Sequence, residues 1–336
     1  MPVNSIGDMA QTFMLRRLTT SMKQQANIAA QELTTGYTAN IGRKLGGDLA
    51  QFSGMEGTLA RLKGYRVATD SVTITANAMQ SAFGQIDRIT EGIGTAILAA
   101  ANAENPHMLR TLVGDAAARF ESVLATLNTK AGDKTLFAGV ASDGPAVANA
   151  DIILSAVEAA IAGAGAISAT DIETAVTDWF NDPAGFEAVG YLGGTASSAV
   201  SVSAEDRINV GFTAMDPALR NTLKSLAMFA IVDRGTLVPD EATGVQIARL
   251  AGTSLLQNQT DRTFLAANLG LIQARIEQAQ TRNEAENAAI QMARSDLLAV
   301  DPYEAATRME AAQTQLETLY SVTARLSRLS LVDFLR

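Results

Sequence analysis

The stretch VTITANAMQSAFGQIDRITEGIGTAILAA occupies residues 72–100. Val72, Ala76, Met79, Phe83, Ile86, Thr90, Ile93, Ile97 and Ala100 recur along it in steps of four and three. That spacing places them on one stripe of a helix with about 3.6 residues per turn. Held through about four heptads, the stripe is long for a globular helix and requires a neighbour with the same repeat. The chain supplies one directly. After Asn105-Pro106 a second seam runs through Leu109, Val113, Ala116, Phe120, Val123 and Leu127. Asn caps a free backbone N–H, and Pro at the first helical position has no N–H to lose, so helix, break and helix read as an antiparallel hairpin.

Moving outward, a third seam passes through Leu265, Leu269, Ile272, Ile276, Ala279, Asn283, Glu286, Ile290, Ala293 and Leu297, with a polar centre. A fourth begins at Asp301-Pro302-Tyr303-Glu304, where Asp caps and Glu faces the positive helix end. It continues through Ala305, Met309, Ala312, Leu316, Leu319, Thr323, Leu326 and Ser330. Asp182-Pro183 and Asp216-Pro217 read as helix starts by the same logic. At the other end, Ile6 to Leu33 is helical in pattern, with Leu15, Leu18, Met22 and Ala29 on one face. Six glycines between Gly36 and Gly57 then predict a loop or a set of short turns.

Charge divides the 336-residue chain. It carries 26 Lys+Arg against 35 Asp+Glu, a formal net charge of -9. Between Thr135 and Asp206 there are ten acids and no base, so the flanks are close to neutral and the middle reads as a distinct inserted region. Within it, Ile152 to Trp179 alternates helical patches with a turn at Gly163-Ala-Gly165. Val200 and Val202, then Ile208, Val210 and Phe212, alternate with polar residues around Glu205-Asp206, which predicts a β-hairpin.

The same composition removes most chemistry. A net acidic chain has the wrong field for nucleic acid. With no Cys there is no disulfide framework, thiolate metal site or thiol nucleophile, and one His leaves acid–base catalysis short of groups. His107 reads as a helix-start residue. Gly42-Arg43-Lys44-Leu45-Gly46-Gly47 lacks the spacing and preceding strand of a phosphate loop, and Asn40 to Asp48 has too few oxygens for calcium. We therefore expect no catalytic, cofactor-binding or metal-binding residues and no enzyme activity. The first residues lack the basic and apolar parts of a cleaved signal peptide, and no run is long enough to span a membrane.

The terminal helices have no evident third partner in the chain, and the last residues are apolar nearly all round. That pattern points to burial between copies. The candidate assembly residues are Leu15, Leu18, Met22, Leu316, Leu319, Leu326, Leu329, Leu331, Phe334 and Leu335.

Three motifs then appear in order. Gln31-Glu-Leu-Thr-Thr-Gly36-Tyr, with Thr35 and Gly36, resembles the Leu-Ser-Thr-Gly motif of the bacterial flagellin family. Lys134-Thr-Leu-Phe137-Ala-Gly139-Val, with Phe137, Ala138 and Gly139, resembles the Phe-Ala-Gly signature of its hook-filament junction type, flagellar hook-associated protein 3. The segment Tyr303 to Leu335 is similar to the C-terminal helix of that type. Asn40 to Asp48 departs from the family's Asn-Pro-Ser-Asp-Asp type segment, and the Asp-Asp-Ala-Ala-Gly segment of flagellin proper does not occur, which favours the junction type.

The resemblance implies a mainly α fold: a long antiparallel helical rod formed by the N- and C-terminal segments, with a small inserted α+β domain. The expected organisation is an N-terminal assembly helix at 1–35, a rod from 36–140 and 217–300, an acidic insert at 141–216, and a C-terminal assembly helix at 301–336. It further implies a non-enzymatic adaptor of the extracellular flagellum, exported by the type III route without a cleaved signal. Its partners would be copies of itself in a ring or layer, a hook-associated protein on the hook side, flagellin on the filament side, and an export chaperone. Nucleic acid and membrane insertion are not expected. A flagellin-like filament subunit and a soluble coiled-coil signalling or secretion-effector protein remain as alternative readings.

Overall fold

The computed structural model describes residues 4–238 and 240–334, with side chains over 9–238 and 240–326. It falls into two compact units, one from residues 1–62 and 284–336, the other from 63–283. The expectation of a mainly α chain is met: long helices dominate both units and the strands form two small antiparallel pairs.

The larger unit is built on the quoted stripe. Helix α3 (Ala50–Thr90) enters it and is followed by α4 (Ile93–Asn102) and α5 (Pro106–Leu127). The stripe was read as one helix, but the chain breaks at Gly92, whose φ of 71° is left-handed. The seam survives the break, because Ile86, Thr90, Ile93 and Ile97 are all buried. Asn105 caps α5 through a bond from the Met108 N–H, as its position before Pro106 predicts. The glycine-rich loop ends earlier than expected, since Gly54 and Gly57 lie on exposed positions inside α3.

Beyond α5 come the short pair β1 (Lys130–Ala131) and β2 (Lys134–Thr135), then α6 (Ala150–Ala164) and α7 (Ala169–Asn181). A π-helical turn follows at Phe186–Gly190, then the predicted hairpin, shortened to β3 (Val200–Ser201) and β4 (Arg207–Ile208). The reading of Asp182-Pro183 as an α-helix start is corrected. Asp182 ends α7, and its side chain accepts from Ala184 N–H in a turn. Val147 and Tyr191 form an antiparallel bridge, and Ala148 N–H bonds to Gly190 O, so the segment between them leaves and returns at one place.

Helix α8 (Pro217–Arg234) packs against α5, and α9 (Glu241–Leu298) completes this unit with its residues up to Asn283. One apolar cluster runs through all of the helices of this unit. Phe120, Phe137, Phe180, Phe186 and Phe229 are fully buried, each contributing about 1.5–3 kcal/mol relative to exposure. Phe83 meets Phe137 and Phe212 at centroid distances of 5.6 and 5.8 Å, which ties the first seam to the chain near both ends of the acidic region. The acidic segment thus has its own charge but shares this core. Bases on α8 answer part of that charge: Arg234 pairs with Asp151 at 2.6 Å and with Glu158 at 3.7 Å.

Asp216 precedes α8 without capping it. Its carboxylate instead accepts from Thr213 N–H at 2.7 Å, and burial pushes its pKa up. Tyr191, also buried, is pushed up by desolvation and by the nearby Asp216 charge. A raised folded-state pKa means that Asp216's contribution is fully present below the unfolded value, about 4, and is lost as pH rises through the folded value. Asp216→Asn removes this titration. Urea unfolding at a series of pH values should therefore show the stability of the native chain falling relative to the variant as pH climbs above the ordinary carboxylate range. A constant or rising difference would contradict the burial account.

Candidate assembly surface

The smaller unit contains α1 (Asn4–Thr35), the short α2 (Ile41–Lys44), the first part of α3, the last part of α9, and α10 (Pro302–Phe334). Asp301 accepts from Tyr303 N–H at 2.8 Å at the start of α10, where the sequence places a cap. Helices α1 and α10 pack along each other. Their pairing is antiparallel: Glu32 meets Arg308, while Lys23, earlier in α1, lies 5.7 Å from the ring centroid of Tyr320, later in α10.

The Thr35-Gly36 motif has a mechanical reason here. Thr35 Oγ1 donates back to Gln31 O at 2.8 Å, ending α1, and Gly36 adopts φ 74°, a left-handed value that only Gly takes without cost. The chain then turns alongside the link between α9 and α10. Val300 N–H bonds to Gly36 O, Thr38 N–H bonds to Leu298 O, and Tyr37 bridges Ala299. Lys44 Nζ donates to Ala299 O at 2.6 Å. Glu32 locks this turn from inside. It is 5% exposed, accepts from Thr38 Oγ1 and Ala39 N–H through one oxygen, and from Arg308 Nη2 at 2.9 Å through the other. In the sequence Glu32 is one residue of the motif with no local feature to mark this role.

The Phe137-Ala138-Gly139 motif belongs to the larger unit. Phe137 and Ala138 are fully buried. Ala214 N–H bonds to Phe137 O, Gly194 N–H to Ala138 O and Val140 N–H to Thr195 O, so the motif clasps two later loops by its backbone. A Cβ on Gly139 would lie 2.3 Å from Thr195 O. Asn128, another residue without a sequence-level role, holds the same region: its Oδ1 accepts from Ala146 and Val147 N–H, and its Nδ2 donates to Val147 O.

The candidate assembly residues divide. Leu15, Met22, Leu316, Leu319 and Leu326 are half-buried, and together with Thr19, Ala26, Met309 and the buried Ala29, Ala305 and Ala312 they mark one stripe on each helix. Leu18 is 42% exposed, off that stripe. Leu329, Leu331 and Phe334 fall where only the helix backbone is described, and Leu335 lies outside the described residues. Coverage is thin. Among the described side chains only Ala29, Glu32, Ala305 and Ala312 of these two helices are buried, while Met9, Phe13 and Met14 are 74%, 70% and 64% exposed. His107 is exposed at the start of α5. Among the described residues no group of three or more His, Asp or Glu is placed to hold a metal ion, and no helix is long and apolar enough to cross a membrane.

Two long antiparallel terminal helices and a second unit with its own core define the chain as a mainly helical protein of two units. Residues 255–335 match the family model of the bacterial flagellin C-terminal helical region. The resemblance to the bacterial flagellin family is borne out by this match. A comparison with curated proteins finds no match. Among solved structures, FlgL from Bacillus cereus shares the fold at 10% identity, with a TM-score of 0.50 over 72% of this chain and 98% of that one. A protein of Vibrio parahaemolyticus assigned as flagellar hook-associated aligns at 11% identity and a TM-score of 0.49, over 72% of this chain and 94% of that one.

The two motif glycines separate experimentally. Gly36→Ala places a Cβ in open space at a left-handed φ and should cost about 1 kcal/mol, whereas Gly139→Ala adds a backbone collision and should cost at least about 2–3 kcal/mol. Denaturant unfolding of both variants checks this, and equal costs would remove the close-approach argument. Glu32→Ala should speed hydrogen exchange at Ala39 N–H, consistent with about 1–3 kcal/mol for a buried charge-assisted group.

Proposed function

We propose that this chain is a structural subunit of the bacterial flagellum that packs against copies of itself through α1 and α10 and joins hook to filament. The observation that carries the reading is the shortfall of burial on these helices. Fixing each backbone residue costs about 1–2 kcal/mol, and a stripe made largely of half-covered Leu, Met and Ala offsets little of that. Met9, Phe13 and Met14 are then apolar surface held ready for neighbours.

In this reading the mechanism is helix–helix burial between subunits, with Leu18, the apolar end of α10 including Leu329, Leu331 and Phe334, and the following Leu335 in the sequence meeting other copies. The acidic segment, carrying its excess charge, faces solvent, and the near-neutral terminal segments approach each other without strong repulsion. A hook-associated protein on one side, flagellin on the other, and a chaperone during export complete the set of partners. The match at residues 255–335 and the three motifs in order support it.

A strain lacking this chain should make hooks without filaments, visible by electron microscopy, and the full chain should restore them. A version ending at Asp301 should keep cooperative unfolding of the α3–α9 core yet fail to restore motility. Filaments restored by the shortened chain would refute the assignment of assembly to α10. Long filaments grown by the purified chain alone would instead mark it as a filament subunit.

A further inference from the structure

Helix α9 repeats by seven within the larger unit. Leu255, Leu269 and Ile276 fall in one column of that repeat with Arg262 and Asn283, and Leu265, Ile272 and Ala279 fall in the other with Asn258. Sliding α9 by one heptad therefore exchanges apolar side chains for apolar ones at most positions, and apolar burial alone discriminates weakly against the slip. Between residues 255 and 283 the exceptions are three polar residues in the seam, Asn258, Arg262 and Asn283, which are 4%, 5% and 8% exposed.

Each of them is tied to a fixed point on another element. Asn258 Nδ2 donates to Ala218 O and to Thr222 Oγ1, both at 2.7 Å, in the first turns of α8. Arg262 Nη1 donates to Thr222 Oγ1 at 3.3 Å, and its Nε to Asp87 on α3 at 2.9 Å. Asn283 Nδ2 donates to Val202 O at 2.7 Å. Thr222 is itself fully buried and donates to Ala218 O. Among the described residues Asn258 Oδ1 has no partner, so the cluster is not arranged for greatest stability.

We infer that Asn258, Arg262 and Thr222, with Asn283 further along, form a register lock that fixes α9 against α3 and α8. In the native register Gln273 Nε2 bonds to Asn77 Oδ1 at 2.8 Å. A slip of seven residues brings Ala266 to that place and drives Asn258 and Arg262 into the seats of Leu265 and Leu269, where neither bond can form. Leaving such groups buried without partners holds the slipped form to under about one per cent.

The chain has no native Cys, so engineered pairs report register cleanly. Asn77→Cys with Gln273→Cys tests the native register, and Asn77→Cys with Ala266→Cys the slipped one, about 10 Å away along the helix and beyond disulfide reach. Under mild oxidation the otherwise native chain should crosslink only through the first pair. In a background of Thr222→Val, Asn258→Leu, Arg262→Met and Asn283→Leu, crosslinking through the second pair should rise at least about tenfold while the thermal midpoint holds or increases. Crosslinking confined to the first pair in that background overturns the inference. If the fourfold background does not fold, the threefold one that keeps Asn283 is read in the same way, and the absence of any second-pair product there also overturns it.

Discussion

Two helices lying side by side cover one stripe on each and leave the remaining circumference to other neighbours or to water. Everything in this chain follows from how that limit is met in its two units. Around α3, α4, α5, α8 and α9 it is met from within: their stripes share one apolar cluster, and side chains as large as Phe120 and Phe229 lose all contact with solvent. Around α1 and α10 it is not. A single pair of helices covers a single stripe, closed by small residues such as Ala29, Ala305 and Ala312, and leaves Phe13 uncovered. The difference in burial is a physical account of why one unit is closed by its own side chains and the other leaves apolar surface uncovered.

Polar groups then do what apolar burial cannot. Glu32 uses both carboxylate oxygens to hold a turn and a distant helix at once, and Asn128 uses both ends of its amide to fasten the returning chain. These bonds are directional, so each specifies a place rather than a general affinity. The buried amide of Asn258 and guanidinium of Arg262 act in the same sense within a seam whose apolar members are nearly interchangeable.

Periodicity made the helices legible. The seams at Val72 to Ala100 and Leu109 to Leu127 are buried almost residue for residue, and the fourth seam reappears from Ala305 to Leu319 and at Leu326 as the covered stripe of α10, with Thr323 exposed. What periodicity could not give was decided by long-range contacts. The break at Gly92 keeps the stripe in phase, so the pattern carries no mark of it. Asp182-Pro183 has the local chemistry of a helix start, yet the following residues are drawn into a turn and a π-helical segment by the burial of Phe186. Leu18 looked equivalent to Leu15 and Met22, but the partner stripe is too narrow to cover all three. For Glu32 the missing signal was Arg308, far away in sequence.

The bridge between Val147 and Tyr191 has a bearing on how such a chain can change over time. Because the intervening residues depart from and rejoin the fold at a single strand pair, a shorter or longer excursion could replace them without moving either anchor. What any replacement must supply is not connectivity but cover, since Ile153, Val157, Phe180 and Phe186 roof an apolar area that α8 cannot leave open to water. The segment is free to diversify on its outer face and constrained on its inner one.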